Sequence, residues 1–141
     1  MTSIEQCVSK NGNLLFNIGP DSRGRIPEEG QTLLRGIADW FSRNGESVTG
    51  AGEAPFQPPS GMHYTAKGEK TFYLHIPFQP MGDIILPQLR GKVKKITLLE
   101  DASEVSQITW WGEELLAPDE LRIRIRPGKL TLPAVLKLEL L

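Results

Sequence analysis

Residues 9–20 have the sequence SKNGNLLFNIGP, a short apolar run with turn residues on both sides. Asn11-Gly12 precedes the run, and Gly19-Pro20 follows it. A nearly continuous apolar stretch of this length indicates a strand that is covered on both faces, as strands of parallel sheets are. The sequence therefore predicts a buried strand over residues 13–18.

A helix is predicted directly after this strand. The loop over residues 19–25 leads into Pro27-Glu28-Glu29, where proline suits the first helical turn and acidic side chains suit the N-terminal end of a helix. Asn44-Gly45 is a pair that favours the end of a helix. One apolar stripe recurs between them at helical spacing: Leu33, Leu34, Ile37, Trp40 and Phe41. The strand, the loop and the helix form one βα unit.

The second part of the chain changes to short β-rich runs. Residues 50–61 are rich in Pro and Gly, which neither a helix interior nor an inner strand tolerates well. Strands are predicted near residues 63–66, 71–76, 83–86, 93–99, 108–111, 121–126 and 134–140. Alternation of apolar and polar residues in the last two indicates antiparallel sheets with one wet face. We expect a terminal βα unit over 1–50, a linker over 51–61 and a β-sandwich over 62–141.

Composition excludes several classes of function. The chain has 141 residues and a formal net charge of -1, which argues against a nucleic-acid partner. No apolar run approaches the ~20 residues needed to cross a bilayer, so we expect no membrane contact. Cys7 with His63 and His75 cannot assemble a closed metal site, and we predict no metal ligands. The N-terminal residues lack a signal peptide pattern, and the sequence leaves the compartment unknown.

Residues 9–20 resemble the last barrel strand of α-L-fucosidases of glycoside hydrolase family 29. The resemblance continues through residues 24–29, 34–40 and 44–46, and then through 64–68, 86–99 and 135–140. Gly30, Thr49 and Phe16 depart from the family pattern without contradicting the fold. The resemblance implies a mainly β chain, in which a C-terminal antiparallel β-sandwich is preceded by the last strand–helix unit of a (β/α)8-like catalytic barrel.

The same resemblance implies a function for the assembled enzyme. It would release α-L-fucose from fucosylated glycans with retention of configuration, using two carboxyl groups about 5 Å apart and no cofactor. The family's nucleophilic Asp and acid/base Glu lie upstream of the matched segment, so no residue here is expected to be catalytic. This chain alone is predicted to be inactive. Its expected partner is the remainder of the barrel, and a fucosylated glycan would bind only to the assembled enzyme.

Two places are candidates for contact with sugar. Barrel active sites lie at the C-terminal ends of the strands, which places Asn17, Gly19, Pro20 and Asp21 near the substrate. The alternative is that these residues only shape the turn. Trp110 and Trp111 are candidates for sugar stacking, although one of them could pack in the core and the other at a domain joint.

Two further hypotheses for the function stay open. The sandwich could act alone as a carbohydrate-binding module, with Trp110 or Trp111 as its platform. Alternatively, the chain could be one subunit of a split fucosidase that docks on a separately encoded catalytic chain.

Overall fold

The computed structural model describes residues 2–109, 117–126 and 128–141. Its helices are α1 (Thr2–Val8) and α2 (Glu28–Asn44), and the short 3-10 helix Gly45–Ser47 follows α2 directly. The strands are β1 (Gly52–Glu53), β2 (His63–Lys67), β3 (Thr71–Ile76), β4 (Ile84–Leu86), β5 (Val93–Leu98), β6 (Ser106–Gln107), β7 (Leu121–Arg124) and β8 (Ala134–Leu140).

The strands form two antiparallel sheets. One sheet has the order β1-β2-β3-β8-β5, and the other has the order β4-β7-β6. Apolar side chains from both sheets meet in one core, which includes Leu74, Ile96 and Leu136 from the larger sheet and Leu86 and Ile123 from the smaller one. The predicted antiparallel β-sandwich is therefore confirmed.

The larger sheet is covered on its other face by helices. Phe72, Leu74 and Ile76 of β3 pack into the core between the sheets, and Tyr73 packs with Trp40 of α2 on the opposite side. This split follows from the alternation of side chains along a strand. Val48 and Val135 complete the second cluster. The molecule thus has three layers: helices, the larger sheet and the smaller sheet.

Helix α2 covers residues 28–44, as the apolar stripe predicts. Trp40 is the stripe residue that the larger sheet buries, and it is 3% exposed. Leu33 is 56% exposed and faces away from the sandwich. Within the described residues, no helix is long and apolar enough to span a membrane.

The predicted strand over residues 13–18 needs a correction. Residues 12–21 have no regular secondary structure in this chain, and Leu15 is 84% exposed. A barrel strand needs a hydrogen-bonding neighbour on each side, because its peptide groups must be paired when they are buried. No strand of the described residues pairs with residues 13–18, so this segment does not form a strand here.

Two smaller differences concern the sandwich. Gly52 and Glu53, which fall in the predicted linker, pair with Ala66 and Thr65 of β2. The strand expected at 108–111 is tested only in its first half: residues 108 and 109 follow β6 (Ser106–Gln107) without regular secondary structure, and residues 110 and 111 lie outside the described residues.

Two arginines of β7 contact an acidic residue of the same chain. Arg124 makes two hydrogen bonds to Asp83, at 2.6 and 2.9 Å, and Arg122 lies 3.8 Å from the same carboxylate. The Arg124 guanidinium holds the pKa of Asp83 below its usual value. These contacts tie β7 to the start of β4.

Candidate functional site

The segment predicted to lie near the substrate runs along the N-terminal half of α2. Asn17 and Gly19 line a cavity of about 260 Å³ together with Pro27, Leu33 and Leu34. Asn17, Gly19 and Pro20 are exposed, and Asp21 is partly exposed. The structure therefore leaves Asn17, Gly19 and Pro20 open to solvent, with Asn17 lining the same cavity as Leu33 and Leu34 of α2.

Asp21 is held by the loop that follows it. Its Oδ1 accepts the backbone N–H groups of Arg23 and Arg25 at 2.8 and 2.9 Å, and its Oδ2 accepts the Arg25 guanidinium Nε at 3.3 Å. The backbone N–H of Arg25 is the main cause that lowers the pKa of Asp21. A carboxylate that stays ionised is poorly suited to donate a proton, so Asp21 is better suited to shape the turn.

An apolar face surrounds this segment. Two grooves on it have volumes of about 340 and 290 Å³, and both lie between the 12–18 segment, α1 and α2. We call this surface the barrel-side face; it is formed by Ile4, Val8, Leu14, Phe16, Ile18, Leu33, Leu34, Ile37 and Phe41. Phe16 is 48% exposed and Leu33 is 56% exposed. Exposed apolar patches of this kind mark surfaces that bind another part of a protein.

The end of α2 is fixed to the sandwich by polar contacts. The Trp40 indole donates a hydrogen bond to the Pro133 carbonyl at 2.8 Å, and Arg43 Nη1 donates to Glu100 Oε1 at 2.6 Å. Burial of Trp40 on the sheet leaves its N–H in need of a partner, and the Pro133 carbonyl supplies it. We call this contact region between the helices and the sandwich the joint. Besides Trp40 and Arg43 it includes Glu46, Asn11, Glu5 and His75.

Glu46 accepts hydrogen bonds from three donors at the joint. Its Oε1 accepts hydrogen bonds from Lys137 Nζ at 2.9 Å and from the Tyr73 hydroxyl at 3.1 Å, and its backbone carbonyl accepts from Lys67 Nζ at 3.0 Å. The Lys137 hydrogen bond is the main cause that lowers the pKa of Glu46. Burial, together with Glu46, raises the pKa of Tyr73 to about 12, so the phenol keeps the proton that it donates.

Asn11, just before the 12–18 segment, connects that segment to β1. Its Oδ1 accepts the Glu53 backbone N–H at 2.8 Å, and its Nδ2 donates to Glu53 Oε2 at 3.3 Å. Asn11 has a φ of 55°, a conformation that Asn tolerates better than most residues. A Cβ on Gly52 would lie 2.6 Å from the Asn11 Oδ1, so glycine leaves room for this clamp.

The deepest contact of the joint connects α1 to β3. Glu5 and His75 are both fully buried, and His75 Nδ1 lies 3.7 Å from Glu5 Oε1. The sequence patterns that predict the strands and the helix do not reveal Glu5, Asn11, Glu46 or Lys137 as joint residues, because each acts through a partner distant in sequence. Only Trp40 stands in a recognisable stripe.

The remaining candidates concern stacking and metal binding. Trp110 and Trp111 lie outside the described residues, so sugar stacking on them stays a prediction. Among residues 2–109, 117–126 and 128–141, no three His, Cys, Asp or Glu side chains come together as metal ligands would.

Comparison with known protein sequences gives a consistent family. A family model described as alpha-L-fucosidase matches residues 1–46. Human tissue alpha-L-fucosidase is 31% identical over 104 residues, which is 70% of this chain and 22% of that protein. An alpha-L-fucosidase of Branchiostoma floridae is 30% identical over 86 residues, 59% of this chain and 19% of that protein. The chain thus spans about a fifth of the length of these relatives.

Solved structures extend the match to nearly the whole chain. Alpha-L-fucosidase isoenzyme 1 from Paenibacillus thiaminolyticus has a TM-score of 0.90 and 37% identity, covering 99% of this chain and 33% of that one. The Thermotoga maritima alpha-fucosidase shares the fold, with a TM-score of 0.76 at 21% identity over 96% of this chain and 32% of that one. The chain therefore belongs to the α-L-fucosidases of glycoside hydrolase family 29, and it corresponds to the C-terminal portion of such an enzyme.

Proposed function

We propose that this chain completes the catalytic barrel of an α-L-fucosidase and supports it through the β-sandwich. In the assembled enzyme the barrel removes α-L-fucose from fucosylated glycans with retention of configuration. The nucleophile and the acid/base come from the part of the barrel that precedes this segment in the family. The single observation that carries the proposal is the barrel-side face, where an apolar segment and helix α2 are exposed together.

The physical argument starts from the cost of that exposure. Full burial of a large apolar side chain stabilises a protein by ~1.5–3 kcal/mol. Leu15, Phe16 and Leu33 are 84%, 48% and 56% exposed, so most of this stabilisation is unrealised in the chain by itself. Neighbouring barrel strands on both sides of residues 13–18 would bury these side chains and pair the open backbone. The part of a family 29 enzyme that precedes the matched segment is therefore the occupant that fits this face.

The arrangement at residues 17–21 supports a positioning role rather than chemistry. Asn17 is exposed at the end of the segment where a barrel keeps its active site. Asp21 is occupied by the backbone N–H groups of Arg23 and Arg25, and its lowered pKa opposes a role as proton donor. We therefore propose that this loop lines the fucose pocket, and that the carboxyl pair comes from elsewhere.

Complementation tests this proposal. The 141-residue chain is expressed with a Paenibacillus thiaminolyticus isoenzyme from which the matching C-terminal third has been removed. We expect the two polypeptides to associate and to hydrolyse an aryl α-L-fucoside, and each alone to be inactive. Association without turnover would contradict the proposal, and so would robust turnover by the 141-residue chain alone.

Two matched variants locate the contact. Phe16→Asp places a charge on the barrel-side face, where Phe16 is 48% exposed, and Met81→Asp places one on the sandwich, where Met81 is 103% exposed. We expect Phe16→Asp to abolish complementation and Met81→Asp to preserve it. Equal activity of the two variants would mean that the barrel-side face is not the docking surface.

A sugar titration separates the proposal from the stand-alone module. The chain is titrated with fucose and fucosylated oligosaccharides while tryptophan fluorescence is followed. We expect no saturable change at millimolar sugar. A saturable change that Trp110→Ala or Trp111→Ala removes would favour the carbohydrate-binding module instead.

A further inference from the structure

A buried acid and a buried histidine face each other where α1 packs on the larger sheet. Both side chains are 0% exposed, and His75 Nδ1 lies 3.7 Å from Glu5 Oε1. Neither oxygen of Glu5 has a hydrogen-bond partner among the described residues, and the same is true of His75 Nδ1. Burial of an unpaired carboxylate is strongly unfavourable, so the protonation of this pair must be explained.

The other nitrogen of His75 fixes the tautomer. His75 Nε2 lies 2.9 Å from the hydroxyl oxygen of Thr65, and that hydroxyl donates its proton to the Ser47 carbonyl at 2.6 Å. A hydroxyl has only one proton to donate, and a carbonyl can only accept. Nε2 must therefore carry a proton and donate it to Thr65. In a neutral His75, Nδ1 would then present its lone pair to Glu5.

This geometry leads to a count of protons. An ionised Glu5 opposite the bare Nδ1 would place two electron-rich groups together where both side chains are fully buried. One further proton removes the conflict, either on Nδ1 as an imidazolium–carboxylate pair or on Glu5 as a neutral acid. We propose that Glu5 and His75 bind one shared proton when α1 packs on the sheet, so that attachment of α1 depends on pH. This inference goes beyond the proposed fucosidase role and does not depend on it.

The surrounding charged groups do not supply that proton. His63 is the cross-strand partner of His75, and burial is the main cause that lowers its pKa. Glu5 raises the pKa of His63, and His75 and Lys10 lower it, which places all four groups in one electrostatic cluster. The 3-10 helix faces the cluster with the Ser47 carbonyl, and its Glu46 is engaged with Lys137 and Tyr73. Within this cluster, Glu5 and His75 are the groups whose facing atoms lack hydrogen bonds.

The direction of the pH effect follows from the proton count. A free histidine loses its proton near pH ~6.5, so above about pH 7 the unfolded pair holds no proton. The folded pair holds one, and stability falls with rising pH wherever the folded state binds more protons. The stabilisation is complete below the pKa of a free histidine, ~6.5, and is lost as the pH rises further. One proton changes the unfolding equilibrium constant by at most about tenfold per pH unit.

Nitrogen-detected NMR of the wild-type chain tests the tautomer. The chain has two histidines, so both imidazoles can be assigned with one variant, His63→Gln. We expect His75 Nε2 to be protonated throughout pH 5–8 (roughly the range in which histidine titrates). A bare Nε2 with a proton on Nδ1 would overturn the inference. This measurement needs no variant at Glu5, so it decides even if such a variant does not fold.

Urea unfolding as a function of pH tests the proton count. In Glu5→Gln the side-chain amide can donate to Nδ1 without an added proton. Between about pH 7 and 9, we expect the unfolding constant of wild type to rise relative to Glu5→Gln by up to about tenfold per pH unit. His63→Gln is the matched control and should keep the wild-type slope. Parallel profiles for wild type and Glu5→Gln would overturn the inference, and so would a slope that disappears in His63→Gln.

Discussion

Replacement of Trp40 tests whether the larger sheet holds α2 in place. Trp40 is 3% exposed, packs against Val48, Tyr73 and Val135, and donates to the Pro133 carbonyl at 2.8 Å. A buried Trp removes 150–250 Å² from water, which at ~25 cal/mol per Å² is worth about 4–6 kcal/mol before any relaxation. Measured Trp→Ala losses in protein cores are about 3–5 kcal/mol, and we expect Trp40→Ala to fall in that range.

Two further variants separate the causes of this loss of stability. Trp40→Phe keeps most of the ring burial and loses the hydrogen bond, so a loss of about 1 kcal/mol is expected. Leu33→Ala changes a residue of the same helix that is 56% exposed, and its effect should stay within about 0.5 kcal/mol. The three variants thus separate three contributions to stability: apolar burial of the ring, the hydrogen bond, and a side chain of α2 that does not pack on the sheet.

The assay is urea unfolding followed by far-ultraviolet circular dichroism, supported by amide exchange of residues 28–44. A loss of 3 kcal/mol corresponds to amide exchange in α2 that is more than about a hundredfold faster, if exchange follows detachment of the helix. Trp40→Ala as mild as Leu33→Ala would refute the argument, because α2 would then owe its position to something other than the sheet. A Trp40→Phe loss equal to that of Trp40→Ala would refute the division between ring and hydrogen bond.

The other predictions concern the clamp and the acid of the joint. Asn11→Ala should speed exchange of the Glu53 amide by roughly tenfold, because that amide loses its acceptor at 2.8 Å. Gly52→Ala should have the same effect through a Cβ placed 2.6 Å from the Asn11 Oδ1, and the double variant should be no worse than either single one. Glu46 should titrate below 4.5 in carboxyl-detected NMR, and Lys137→Met should move its pKa back towards that value. Because the pKa of Glu46 is lowered on folding, Glu46 stabilises the fold above its pKa in the unfolded chain, and this stabilisation is lost as the pH falls through its pKa in the folded chain. A stability at neutral pH that Lys137→Met leaves unchanged would contradict this.

The parts of the fold that depend on local patterns are predictable from the sequence. Helix α2 begins after Pro27 and ends at Asn44, because a helix start, a periodic stripe and a stop signal agree in one short window. The strands of the sandwich follow from alternation in the same way. The stripe does not reveal which of its residues the sheet buries: Trp40 is 3% exposed, whereas Leu33 is 56% exposed.

The parts that depend on distant partners are not predictable in this way. The apolar run at 13–18 has the composition of a strand, but a strand exists only when another strand pairs with it. Pairing explains the opposite case as well, since β1 forms at Gly52–Glu53 inside a Pro- and Gly-rich stretch because β2 and Asn11 hold it. The candidate site shows the same limit: Asp21 is visible as an acid, but its engagement by Arg23 and Arg25 needs the folded loop.

The placement of the larger sheet between helices and a second sheet has a practical consequence for engineering. Its central strand β3 is buried from Phe72 to Ile76, so neither of its sides is accessible to a ligand. A new recognition surface grafted onto this protein should therefore be built on the smaller sheet or on the connecting loops. Libraries directed at β3 would sample folding defects rather than new specificities.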